Sequence, residues 1–236
     1  MDSVWISRKK QGGISFLLLL ALLAAISLNF IFSAGCRVFP PTLAPLPSQI
    51  DRIEGYGSIK ITGSEGGAKS KFSFLLVLPS QGRIDVFDLL GRAIYFILIE
   101  DNEAFLVIPS KKVYWQGKEA EIISKFLRFE IALPEMISLL TGKWENKEEW
   151  ALEKDSQGKV IAGQKEELHF QIKEFFSNTP VARLLTFEHP LSTARMNILS
   201  INFNPPAKQQ VFSEDFLKDY ELKSWPEIEA LFKNEK

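Results

Sequence analysis

The chain has 236 residues, 46% of them apolar and 24% charged, with a formal net charge of −1. That apolar share excludes intrinsic disorder for most of the chain. The balanced charge gives no reason to expect nucleic acid as a partner. A single cysteine excludes a disulfide framework and any multi-cysteine metal site.

The N-terminus reads as an address. Arg8, Lys9 and Lys10 precede Ile14 to Phe32, 19 residues broken only by Ser15, Ser27 and Asn29. Ser33-Ala34-Gly35-Cys36 follows. A basic region, an apolar run and small residues at its exit make a secretory signal over residues 1–35. The run is nearly long enough to span a bilayer, so an uncleaved anchor is the alternative. Ala34-Gly35-Cys36 resembles the bacterial lipobox, whose cysteine is lipidated and becomes the mature N-terminus, although Ser33 stands where that pattern more often has Leu. The resemblance implies covalent acyl groups (palmitate among them) on Cys36 and a protein held to a membrane by lipid. Arg37, in place of an aspartate after the cysteine, implies by the same analogy the outer membrane, facing the periplasm of a Gram-negative bacterium. Loss of residues 1–35 leaves 201 residues and moves the formal net charge to −3. That is chain enough to bury roughly 70% of its unfolded surface.

Residues 36–49 hold Pro40, Pro41, Pro45 and Pro47 and one charge, Arg37. They read as a semi-rigid tether. From Glu54 to Trp115 short apolar runs alternate with turns. Phe72, Phe74, Leu76 and Leu78 share one face of a strand by the period of two. Gly63 to Gly67, Pro79 to Gly82 and Asp101-Asn102-Glu103 are turns by composition. Such spacing predicts antiparallel hairpins. The period then changes. Ile122, Ile123, Phe126 and Leu127, followed by Leu133, Met136, Ile137 and Leu140, recur at helical spacing, with Pro134 suited to a first turn and Gly142 to a stop. Strands resume at Glu149 and run to Phe203. The count is about eleven strands with one helical insertion. This predicts a mainly β (α+β) domain over residues 50–206, a single antiparallel sheet that must curl, with helices on its apolar face. Residues 207–236 read as a helical tail. Ser213 is placed to cap it, and Trp225, Ile228, Leu231 and Phe232 form an apolar stripe that packs on the domain or docks a partner.

No catalytic constellation emerges. His169 and His189 fit no metal spacing. There is no nucleophile elbow and no phosphate-binding glycine loop. The residues predict a protein that is not an enzyme and needs no metal or cofactor.

Arg83-Ile84-Asp85-Val86-Phe87-Asp88-Leu89-Leu90-Gly91-Arg92-Ala93-Ile94-Tyr95-Phe96 resembles a stretch of the LolB family of outer-membrane lipoprotein receptors, with Leu89 in place of the family's proline. Phe129 to Pro134 and Leu139-Leu140-Thr141-Gly142 resemble its next apolar segment and helix end. The order of elements matches from Gln49 to Asn204. The resemblance implies a LolA/LolB-like fold: a curved, open half-barrel with helices capping an apolar cavity. It implies a lipid-binding chaperone that takes acyl chains of lipoproteins as ligand, with a LolA-like periplasmic carrier and the membrane as partners. It also implies that Leu90, with Leu89 beside it, protrudes to touch membrane or cargo. Phe72, Phe74, Leu76, Phe96, Phe126, Leu127, Ile137 and Leu140 are the expected cavity lining. The alternative is a structural or docking lipoprotein whose core is filled and which carries no cargo.

Overall fold

The computed structural model describes residues 43–233 apart from 44, 65, 89, 145–148, 207–211, 213 and 214. The signal segment, Cys36, much of the tether, Leu89 and Ser213 therefore lie outside the described residues. No helix among the described residues is long and apolar enough to cross a membrane. All of them belong to the unit Pro41–Lys236.

The strands are β1 (Arg52–Gly63), β2 (Gly66–Val77), β3 (Gln81–Phe87), β4 (Ala93–Glu100), β5 (Glu103–Ile108) and β6 (Val113–Lys118). Two helices follow, α1 (Glu119–Leu127) and α2 (Leu133–Thr141). Then come β7 (Ala151–Lys154), β8 (Val160–Lys165), β9 (Leu168–Phe175), β10 (Ala182–His189) and β11 (Ser192–Phe203). A 3-10 turn, β12 (Glu221–Leu222) and α3 (Trp225–Lys233) end the chain. One sheet runs in the order β12-β6-β5-β4-β3-β2-β1-β11-β10-β9-β8-β7. It is two meanders joined where β1 pairs β11, from Ile53 opposite Phe203 to Gly63 opposite Ser192. The sheet is curved and open, with α1 and α2 on its inner face. This is the architecture expected from the sequence.

Three expectations need correction. The twelfth strand sits in the tail, which is not helical throughout. The Glu221 N–H donates to Lys112 O and the Lys223 N–H to Tyr114 O, so this segment adds in parallel to the edge strand β6. Among the described residues of the tail the α-helix starts at Trp225, where Ser224 N and Oγ both donate to Glu227 Oε2 at 2.9 and 2.7 Å. The second correction is Phe96. β4 and β5 are buried on both faces, because Leu217 and Tyr220 from the tail cover their outer side. Phe96 points outward into that small cluster with Leu98, Phe105 and Val107. An unbroken apolar run hides which face a residue takes. The third is Ile137, which faces a separate cleft with Ile50, Pro79 and Lys143. At 100° per residue its neighbours Met136 and Leu140 turn to the sheet instead.

Glycines in β1 shape the inner face. Gly55 stands opposite Phe74 and Gly57 opposite Phe72. A Cβ on Gly55 would lie 2.3 Å from the Phe74 ring, and one on Gly57 would lie 2.8 Å from Phe72. The two rings therefore lie back over β1, their centroids 6.0 Å apart.

The loop before α2 is organised by two acids. Glu119, buried, accepts the Leu133 N–H at 2.6 Å, and its burial raises its pKa. Glu135 accepts the Ala132 N–H, the Trp150 indole N–H and Lys165 Nζ at 2.7, 2.7 and 2.8 Å. Burial acts to raise the Glu135 pKa, but the Lys165, Ala132 and Trp150 hydrogen bonds hold it below its ordinary value. Both carboxylates sit at the positive end of α2.

Candidate functional site

Between the inner face of β1–β4 and the two helices lies a cavity of about 210 Å³. Phe72, Phe74 and Leu76 contribute from β2, Phe126 and Leu127 from α1, and Leu140 from α2. So six of the eight expected lining residues meet there, and Phe96 and Ile137 do not. The wall also holds residues that sequence reasoning missed, among them Ile84, Tyr95, Ile97, Ile123 and Met136. Tyr95 and Ile97 alternate with Phe96 on β4, so choosing the other face of that strand would have found them. Ser70 and the Tyr95 hydroxyl are the polar side-chain groups in an otherwise hydrocarbon wall. Burial keeps the Tyr95 phenol neutral by pushing its pKa far upward. The cavity therefore offers dispersion and little else, which suits a ligand without hydrogen-bonding groups.

One side of it is covered by α3. Phe232 meets the rings of Tyr95 and Phe126 at 5.4 and 6.1 Å, and Trp225 meets Phe126 at 5.9 Å. Ile228 of the same helix is fully buried in the main core.

Leu90 is 80% exposed in the β3–β4 turn. Asp88 Oδ1 accepts the Leu90 and Arg92 N–H groups at 2.8 and 2.9 Å, and Gly91 takes φ +83°. The Arg92 hydrogen bonds hold the Asp88 carboxyl below its ordinary pKa against a little desolvation. The β7–β8 turn repeats this build. Asp155 Oδ1 accepts the Gln157 and Lys159 N–H groups at 2.8 and 2.9 Å, and Gly158 takes φ +80°. Gln157 occupies there the place that Leu90 occupies here. The turn geometry thus accepts polar residues, and the leucine at its tip is not a requirement of folding.

His189 accepts the Leu191 N–H through Nδ1 at 3.3 Å and lies 3.9 Å from Glu167, the arrangement of a residue bracing a turn. Among the described residues no three His, Cys, Asp or Glu side chains gather as a metal site.

Fold and site together define an open antiparallel half-barrel whose helices roof an apolar cavity. The chain shares its fold with a DUF1329 family protein from Desulfovibrio piger, at 7% identity, with 72% of this chain and 92% of that chain covered and a TM-score of 0.50. It is also similar to a LolA superfamily protein from Nitrosomonas europaea (9% identity, 71% and 92% covered, TM-score 0.45). A domain described as an outer membrane lipoprotein-sorting protein from Vibrio parahaemolyticus is similar too (8%, 72% and 93%, TM-score 0.44). No protein-family model and no curated protein matches the chain.

Proposed function

We propose that this protein is a lipid-anchored receptor that holds acyl chains in the cavity under α1 and α2 and accepts or inserts lipoproteins at the outer membrane. The observation that carries the reading is the hydrocarbon wall of the cavity between sheet and helices. In this reading residues 1–35 are removed, Cys36 carries the lipid, 36–49 are the tether and 50–206 are the lipid-binding domain. Cargo arrives from a periplasmic carrier of LolA type. Leu90 meets the membrane or the cargo, as the polar counterpart turn at Gln157 supports. The cavity, at about 210 Å³, is smaller than the roughly 300–1,000 Å³ of ordinary ligand sites. An acyl chain then enters by displacing α3 or the helices of the roof. No metal or cofactor takes part, and the protein catalyses no bond change.

The packing of α3 on Tyr95 and Phe126 favours one second reading, a docking lipoprotein of the same fold with a filled core. Mass spectrometry of protein taken from membranes without organic washing separates the two. The receptor reading expects acylated Cys36 and co-purified acyl lipid. Unmodified Cys36, or protein that never carries lipid, contradicts it.

A further inference from the structure

The outer face of the sheet carries a row of charge that folding does not explain. Lys60 on β1 stands directly opposite Lys69 on β2 and opposite Arg195 on β11. All three are exposed. Their chain neighbours Ile59, Ile61 and Met196 line the inner cavity, so the cations face the other way. Like charges placed opposite each other across strands are unfavourable. Among the described residues none of the three has an ion-pair partner. They line a groove of about 300 Å³ on which Ser58 and Asn197 add neutral hydrogen-bonding groups. Arg183 joins them, and the one carboxylate on the groove, Glu174, is taken up by Arg183 at 3.0 Å. Lys71 extends the row opposite Ser58, and Glu188 on β10 is the outward carboxylate toward the strand ends.

Two exposed leucines stand at the same end of the sheet. Lys60 lies three residues from Gly63, which pairs Ser192. That is roughly 10 Å along the strand. Leu191, 60% exposed, immediately precedes Ser192. Leu90 follows Phe87, which pairs Lys71. Cations beside protruding leucines complement a surface that offers phosphates with hydrocarbon behind them. An acidic protein face would answer the charge and leave the leucines without a partner.

We propose that Lys60, Lys69 and Arg195, with Ser58 and Asn197, form an anion-binding face that seats the domain on the phosphates of an anionic lipid surface. The row rests on strand register and charge, so it stands whether or not the cavity takes an acyl chain. Each cation near an anionic leaflet contributes about fivefold in partitioning.

The test is flotation of the full chain with vesicles of phosphatidylglycerol and phosphatidylcholine, against pure phosphatidylcholine. Arg8, Lys9, Lys10 and Arg37 of the N-terminal segment also favour anionic vesicles, so the contribution of the row is read from the change in the ratio of the two partition coefficients between the wild type and a variant with the same N-terminus. The expected result is a large ratio that falls with added salt. Lys60→Gln, Lys69→Gln and Arg195→Gln combined should lower it by on the order of a hundredfold. A ratio near one in the wild type, or one unchanged in the triple variant, overturns the proposal. Row-dependent binding of a poly-glutamate peptide with no preference for anionic vesicles would overturn it too, and give the surface to an acidic protein. A second measurement reads the cost of the row. Lys60→Glu turns two like-charged neighbours into two opposite pairs and should raise the melting temperature by about 2 °C while depressing the vesicle ratio. A fall in melting temperature would show that the row stabilises the sheet, against the proposal.

Discussion

Leu90 and Gln157 occupy equivalent places in two turns of one build, so each can be exchanged for the other without disturbing the backbone. Leu90→Gln should leave the thermal melt within about 0.5 kcal/mol of wild type and weaken vesicle binding or cargo transfer. A large loss of stability would place Leu90 in the core instead. The β1 glycines behave in the opposite way. Gly55→Ala drives a Cβ into the Phe74 ring and to 2.9 Å from Ser200 O, and should cost about 1–3 kcal/mol in chemical denaturation. The two acids at α2 titrate with opposite sign. Glu135 is held below its ordinary value, so the folded state binds fewer protons there. Its stabilisation is present above the unfolded pKa near 4.5 and is lost as pH falls through the lowered folded value. Glu119 is raised, so the folded state binds its proton more tightly and stability declines as pH rises from 4.5 through the folded value. Glu119→Gln keeps an oxygen for the Leu133 N–H and removes the buried charge. It should leave the melting temperature at pH 7 unchanged or higher and erase that decline, whereas Glu135→Gln should lower it. Much of this detail was illegible in the sequence. The Asp-x-x-Gly turn and the exposed leucine could be read from composition, but the hydrogen bonds of Glu119 and Glu135 join residues that only the fold brings together.

At the scale of elements, periodicity located α1 and α2 and gave α2 its limits, because Pro134 and Gly142 act locally. It failed at β4 and in the tail for a common reason. A strand buried on both faces carries no alternation, and the cover on the outer face of β4 comes from Leu217 and Tyr220, over a hundred residues away in sequence. The apolar stripe of α3 was visible, yet its target was not. Phe232 and Trp225 pack on Tyr95 and Phe126, two walls of the cavity. Helix α3 is therefore placed to control access. Phe232→Ala removes two ring contacts, each worth about 0.5–1.5 kcal/mol beyond buried area. It should speed uptake of a fluorescent fatty acid in stopped flow while the domain stays folded. Unchanged uptake rates would separate α3 from ligand entrance.

At the scale of the whole molecule, the sequence made an antiparallel sheet of hairpins legible, because each hairpin is encoded by adjacent runs and a turn. The pairing of β1 with β11 was not, since it joins residues more than a hundred apart and no local pattern records it. That pairing joins the two meanders into one curved sheet, whose inner face borders the cavity of about 210 Å³. The proposed function requires that space to be a binding site. Its most direct test is titration of delipidated full-length protein with a fluorescent fatty acid, alongside Met136→Trp, which enlarges a half-buried side chain of the cavity wall. An acyl-binding cavity should give saturable binding of one acyl chain per protein, and at least about tenfold weaker binding by the variant at an unaltered melting temperature. Absence of saturable uptake, or equal affinity in Met136→Trp, would contradict it.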